Sequence, residues 1–170
     1  MVSLYQPLIK KGAKFFSTSR RSAELIKYAS NAFLATKISY INEIANLCEK
    51  TGVNVEDVSV GIGLDQRIGS RFLRAGPAYG GSCFPKDTKA ITSTGDEYKI
   101  DLSIIKAVVK SNDKRQKLLT ERIKKILLNK VKNKIVTFLG VTFKPTSFYV
   151  LKIFFRTSWI IIGNICSIFT

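Results

Sequence analysis

Ser22-Ala23-Glu24-Leu25-Ile26-Lys27-Tyr28-Ala29-Ser30-Asn31-Ala32-Phe33-Leu34-Ala35-Thr36-Lys37-Ile38-Ser39 begins a run that reaches Lys50 without a proline or a glycine. Leu25, Ala29, Ala32, Phe33, Ile41, Ile44, Ala45 and Cys48 recur along it at helical spacing, as on a helix with one face turned to a core. Ser17-Thr18-Ser19 supply capping side chains ahead of it, and Gly52 is a stop signal behind it. Working outward, Asn54 caps a short helix through Val60 that stops in Gly61-Ile62-Gly63, and residues 61–84 read as a glycine-rich loop region. A helix from Pro85 to about Thr94 follows. A second long helix runs from Asp101 to about Asn129 on Leu102, Ile105, Val108, Val109, Leu118, Ile123, Ile126 and Leu127. Two strand signals flank this body: Phe15-Phe16 within 13–18 as the end of one strand, and Lys134 to Gly140 as a buried one. The expected fold class is mainly α.

At 170 residues the chain can enclose one sizeable core. Its three cysteines, Cys48, Cys83 and Cys166, lie far apart. With no histidine in the chain they offer no metal-ligand spacing and no disulfide framework. A reducing cytoplasm is the default setting. The formal net charge of +16 raises nucleic acid or a membrane surface as partners. Against both, the basic residues are scattered, and all twelve acids lie between the acid-free ends, on segments of mixed charge. A phosphate-bearing small molecule uses positive charge equally well. The apolar, aromatic segment from Ser147 to Thr170 is interrupted by Lys152 and Arg156, and what remains after Arg156 is shorter than a spanning helix needs.

Chemistry concentrates in Gly80-Gly81-Ser82-Cys83-Phe84-Pro85-Lys86-Asp87. Two glycines permit positive φ and close approach to a ligand, and Pro85 suits a helix start. Cys83 is therefore expected to face the unpaired amides and positive end of a helix with Lys86 nearby, both of which favour thiolate. Asp87 follows within reach as a general base. Lys27 and Asn31, four residues apart, share one helical face and form a donor pair for an oxyanion or a sugar oxygen. Taken singly, each has a plainer reading: a buried, inert thiol in a tight turn, and an exposed lysine beside an incidental asparagine.

Ser22 to Ser39 closely resembles the central helix of nucleotide-sugar dehydrogenases. Gly69 to Asp87, with Phe72-Leu73 and then the cysteine octapeptide, resembles that family's active-site loop. Val108 to Gln116, with Asn112, and Gly140-Val141-Thr142-Phe143-Lys144-Pro145 continue the likeness in the same order. It covers residues 3 to 146, and Phe84 resembles the UDP-glucose branch rather than the GDP-mannose branch. The resemblance implies a two-step oxidation of the sugar C6 alcohol with two NAD, giving UDP-glucuronate from UDP-glucose. Cys83 matches the nucleophile that captures the aldehyde as a thiohemiacetal, which hydride loss turns into a thioester for hydrolysis. Lys27 and Asn31 match residues that stabilise the oxyanion and position water, and Asp87 matches a carboxylate that assists proton transfer. The loop from Phe72 to Gly81, with Leu73, Arg74, Tyr79, Gly80 and Gly81, matches the sugar-nucleotide cradle. Arg67 matches an arginine that reaches the sugar from the partner subunit of a homodimer built on the central helices. Phe143 and Lys144 match residues that close over the uridine nucleotide, and Lys86 falls on the cofactor side.

The domain organisation so implied is residues 1–20 as the end of an NAD-binding Rossmann domain, 21–112 as the central helical domain with its active-site loop, and 113–146 as a connecting helix and first strand of a UDP-binding domain. Residues 147–170 form a divergent apolar tail. No GxGxxG occurs in the chain, so the family's main NAD site is expected to be missing and the chain alone to be inactive. The abrupt change after Thr146 is what a frameshift produces. Ala78 stands where the family usually has glycine, a strained choice if that position takes positive φ. The competing readings are a dehydrogenase of another nucleotide sugar of the GDP-mannose type, a basic helical binding module, and a protein anchored to a membrane by 148–170.

Overall fold

The proline- and glycine-free run beginning at Ser22 forms a single helix, α2, from Arg20 to Thr51. Ser19, with extended backbone, accepts a hydrogen bond from the Ser22 amide at 3.1 Å, and Gly52 ends the helix in the left-handed region at φ 72° with its N–H on the Cys48 carbonyl. The computed structural model describes residues 2–130 and the strand residues 154–155 and 158–159. Around α2 lie α1 (Val2–Lys10), α3 (Val55–Gly63), α4 (Phe84–Glu97) and α5 (Ser103–Ile126). Two short antiparallel strands, β1 (Phe154–Phe155) and β2 (Ser158–Trp159), pair Phe154 with Trp159. The architecture is mainly α.

Packing centres on α2, which contacts α3, α4 and α5, while α4 also contacts α5. The buried face of α2 carries Ala32, Ala35, Ile41, Ala45 and Cys48. Buried with it are Leu73 and Tyr79 of the loop, Ile91 of α4 and Val108 of α5. Ile41 and Leu73 are fully enclosed, and burial of side chains this size contributes about 1.5–3 kcal/mol each. At the centre Ala35, Tyr79 and Val108 touch, with Ile38 and Phe84 packed against them. The loop is thus part of the core, which is what makes it a stable platform for a site.

Three expectations are corrected. Phe15-Phe16 is not strand: α1 precedes it, the Tyr5 and Phe15 rings stand 6.2 Å apart, and among the described residues no strand lies beside it to complete a ladder. The helix opened by Pro85 does not stop at Thr94 but runs three residues further. Gly95 is inside it because the chain turns back tightly there. The Ile100 amide donates to the Gly95 carbonyl at 2.8 Å, and a Cβ on Gly95 would meet the Ile100 carbonyl and Leu102 Cγ at 2.9 Å. Ala78 is not among the residues with positive φ, so its methyl brings no backbone strain. The strand expected at 134–140 and the divergent tail, β1 and β2 apart, lie outside the described residues, as do Phe143 and Lys144. Among the described residues no helix is long and apolar enough to cross a membrane.

Candidate active site

Asp87, in the first turn of α4, is the electrostatic centre of the site. Its side chain has no exposed surface, yet three donors reach it: Lys27 Nζ at 2.7 Å and Asn31 Nδ2 at 2.6 Å on Oδ2, and Lys86 Nζ at 2.6 Å on Oδ1. The one-turn spacing of Lys27 and Asn31 on α2 lets both serve the same oxygen. The Lys27 ammonium, then Lys86 and Asn31, hold the Asp87 carboxyl well below the usual carboxylate range, outweighing the opposing effect of burial. The Lys86 ammonium is in turn pushed up by Asp87. Lys27 also sits 5.0 Å from the Tyr28 ring centroid. Four residues assigned to catalysis or cofactor, Lys27, Asn31, Lys86 and Asp87, therefore form one hydrogen-bonded cluster.

Cys83 lies one helical turn before Asp87, whose amide donates to the Cys83 carbonyl at 2.8 Å. It stands at the cap position of α4 and is half-buried, beside a proline in the first turn, as the octapeptide predicts. Its sulfur does not cap the helix, however. The Cys83 backbone is already helical (φ −90°, ψ −59°) instead of extended, the side chain makes no cap hydrogen bond, and Sγ lies 3.7 Å from Ser82 Oγ. Lys86, expected to support the thiol, is committed to Asp87. Asp87 is likewise a poor proton acceptor in this arrangement, with both oxygens engaged and its proton affinity lowered. Its Oδ2 holds the Lys27 ammonium and the Asn31 amide side by side. Since Cys48 is buried, a Cys166→Ser chain should react with a thiol reagent at Cys83 at least about tenfold faster than at Cys48, read by mass spectrometry of labelled peptides. Equal rates would place Cys83 deeper than it stands.

Two of the cradle residues, Phe72 and Tyr79, meet Phe84 at the start of α4. Phe72 has φ 66° and its ring meets Phe84 edge-on at 6.2 Å, while Tyr79 meets Phe84 from another side at 6.1 Å. Leu73 is buried and its carbonyl accepts from Ser59 Oγ at 2.7 Å. Burial pushes the Tyr79 phenol up. Gly80 and Gly81 are exposed, Gly81 at φ 75°, immediately ahead of Cys83. Arg74 is exposed. Arg67 pairs with Asp65, its guanidinium held by the carboxylate at 2.6 Å and its amide donating to Asp65 Oδ1 at 2.9 Å. Lys37 of α2 fixes the turn just after it, donating to the carbonyls of Ile68 at 2.8 Å and Gly69 at 3.1 Å.

The sequence reading passed over several residues that hold this loop: Lys37, Asn42, Ser59 and Arg115, with Asn112 noted only as part of a likeness. The available signal was polar residues interrupting buried helix faces, Asn42 beside Ile41 and Asn112 four residues after Val108. Among the described residues no group of three or more His, Cys, Asp or Glu side chains could hold a metal ion. Nor do these residues fit a dinucleotide: no glycine-rich fingerprint occurs in the chain, and Lys86 is tied to Asp87.

Comparison with known proteins identifies the family. The model of the UDP-glucose/GDP-mannose dehydrogenase family, central domain, matches residues 21–114. A UDP-glucose 6-dehydrogenase of Rickettsia felis is 54% identical over 83% of this chain and 32% of its own length. That of Rhizobium meliloti is 48% identical over 86% of this chain and 34% of its own. A solved UDP-glucose dehydrogenase from Pyrobaculum islandicum superposes with a TM-score of 0.70 at 40% identity, covering 74% of this chain and 29% of that one. The chain spans about a third of the length of these curated relatives. With its helical core, its cysteine loop and its lysine–asparagine–aspartate cluster in one matched segment, the chain belongs to the UDP-glucose/GDP-mannose dehydrogenase family.

Proposed function

We propose that this chain carries the sugar-nucleotide and covalent part of a UDP-glucose 6-dehydrogenase site, whose overall reaction oxidises UDP-glucose to UDP-glucuronate. The observation that carries the reading is the clustering of Lys27, Asn31 and Asp87 one turn from Cys83, beside a loop built into the core. In this role the Cys83 thiolate adds to the C6 aldehyde carbon, and the carbonyl electron pair moves to oxygen. Lys27 and Asn31 stabilise that oxyanion, and Asp87 keeps both donors in place. NAD is the family's hydride acceptor and would supply the oxidising power for both steps. The described residues do not form its pocket, so their part is confined to holding the sugar nucleotide, the Cys83 nucleophile and the Lys27 and Asn31 donors. Phe72, Arg74, Gly80 and Gly81 line the approach to Cys83, Leu73 and Tyr79 anchor that loop in the core, and Phe143 and Lys144 contribute on the uridine side. The division into residues 1–20, 21–112, 113–146 and 147–170 fits this assignment, and a cytoplasmic setting keeps Cys83 reduced.

A homodimer through α2 belongs to the same reading. Large apolar side chains on its outer face, Ile26, Phe33, Tyr40 and Leu47, are left exposed.

Calorimetry of the chain with UDP-glucose and with GDP-mannose tests the reading. UDP-glucose is expected to bind at least about tenfold more tightly, a difference of about 1.4 kcal/mol. Equal or reversed affinities would overturn the substrate assignment. In the same samples, UDP-glucose with NAD should give no sustained NADH absorbance, and steady turnover would reveal a cofactor pocket that the described residues do not form.

A further inference from the structure

Between Gly63 and Phe84 the loop has no regular secondary structure, so its backbone polar groups depend on other partners. At two of its residues, side chains from the long helices satisfy both the N–H and the C=O. The Gly76 amide donates to Asn42 Oδ1 of α2 at 2.7 Å, and the Gly76 carbonyl accepts from Arg115 Nε of α5 at 3.1 Å. Asn112 of α5 takes both groups of Tyr79: the Tyr79 amide donates to its Oδ1 at 2.8 Å, and its Nδ2 donates to the Tyr79 carbonyl at 3.1 Å. The carboxamide of Asn112 thus plays the part that a neighbouring strand's backbone plays in a sheet. Asn42 and Asn112 are buried, and Arg115, half-buried, also donates to Asn46 of α2. Burial keeps water from replacing these bonds, and only a carboxamide offers a donor and an acceptor side by side.

Helix packing alone does not call for this arrangement. Ala35 and Val108 already join α2 to α5 through Tyr79. The polar clamps act on backbone that leads directly into Gly80, Gly81 and Cys83, and the Tyr79 ring they fix rests on Phe84, the first residue of α4. We infer that Asn112, seconded by Asn42 and Arg115, is a positioning residue for the sugar-nucleotide site, setting the backbone of residues 76–81 in its ligand-receiving shape. The inference rests on the reading that this loop cradles the sugar nucleotide.

The test uses the full chain with Asn112→Ala and, as a milder lesion, Asn42→Ala. Circular dichroism checks the helices, amide hydrogen exchange by NMR reports Gly76 and Tyr79, and calorimetry measures UDP-glucose affinity. In Asn112→Ala the Tyr79 amide should exchange at least about tenfold faster, and UDP-glucose should bind at least about tenfold more weakly. Asn42→Ala should release the Gly76 amide and weaken binding in the same direction, which keeps the test decisive if Asn112→Ala does not fold. Faster exchange with affinity unchanged within about twofold would reduce the clamps to structural ties and overturn the inference. So would unchanged exchange. If the unaltered chain protects both amides yet binds no UDP-glucose, the cradle reading has failed and takes the positioning role with it, while the clamps themselves stand.

Discussion

Replacing both Lys27 and Lys86 with methionine should cost the chain on the order of 3 kcal/mol of stability, and adding Asp87→Asn should return most of it. The asymmetry follows from burial. Asp87 has no exposed surface, whereas the side chains of Lys27 and Lys86 are 57% and 63% exposed. Without their partner the lysines turn to water at little cost. Without the lysines the carboxylate stays enclosed, with Asn31 as its one remaining donor in the cluster. Melting should show a drop of about 6–12 °C in the double variant and a recovery in the triple. The pH dependence supplies a separate check. A carboxyl held below its unfolded value of about 3.9 contributes stability that is present above that pH and is lost as pH falls through the folded value. The difference in stability between the unaltered chain and Asp87→Asn should therefore shrink as pH is lowered from about 5 towards 3, while other carboxylates titrate alike in both. A difference that stays constant over that range would mean Asp87 is not tied to its lysines.

That cluster also shows how far the sequence could be read. Helices α2 and α3 were legible because they carry end chemistry of their own, Ser19 and Gly52 for α2 and Asn54 for α3, whereas α1, which has no such signal, was not foreseen. Lys27 and Asn31 were legible as a pair because four residues is one helical turn. Their partner was not, since Asp87 lies 60 residues beyond Lys27 and only tertiary packing brings it under α2. Read alone, Asp87 four residues after a cysteine is a base; seated beneath two ammonium groups, it is a fixed counter-charge. The same limit hid Gly95, which local propensity marks as a helix end and the return of Ile100 and Leu102 makes a close-approach site. It also hid Asn42 and Arg115, whose partners are backbone groups of the loop, where side-chain identity carries no signal. Phe15-Phe16 misled for the converse reason, because β-forming residues make a strand only where another strand stands beside them.

The outer face of α2 leads to the remaining expectation: Phe33→Asp combined with Tyr40→Asp should weaken self-association of the chain at least about 100-fold, equivalent to about 2.7 kcal/mol. Ile26, Phe33, Tyr40 and Leu47 recur every seven residues and remain 48%, 64%, 52% and 59% exposed. A seven-residue repeat drifts by only about 20° per heptad on a straight helix, so the four stay on one side over the length of α2. In the proposed homodimer such a row would be the seam along which the two helices meet, and its central aromatic pair is where charge should do most damage. The core residues Ala35, Ile41 and Ala45 lie on other positions of the helix, so the fold should survive the substitutions. Lys37 lies between the two aromatics in sequence and grips the carbonyls of Ile68 and Gly69, so the row runs beside an anchored turn. Sedimentation equilibrium on both chains, with circular dichroism as the control for folding, decides the matter. A monomeric unaltered chain would remove the seam, and a doubly substituted chain that still dimerises would move it to another face.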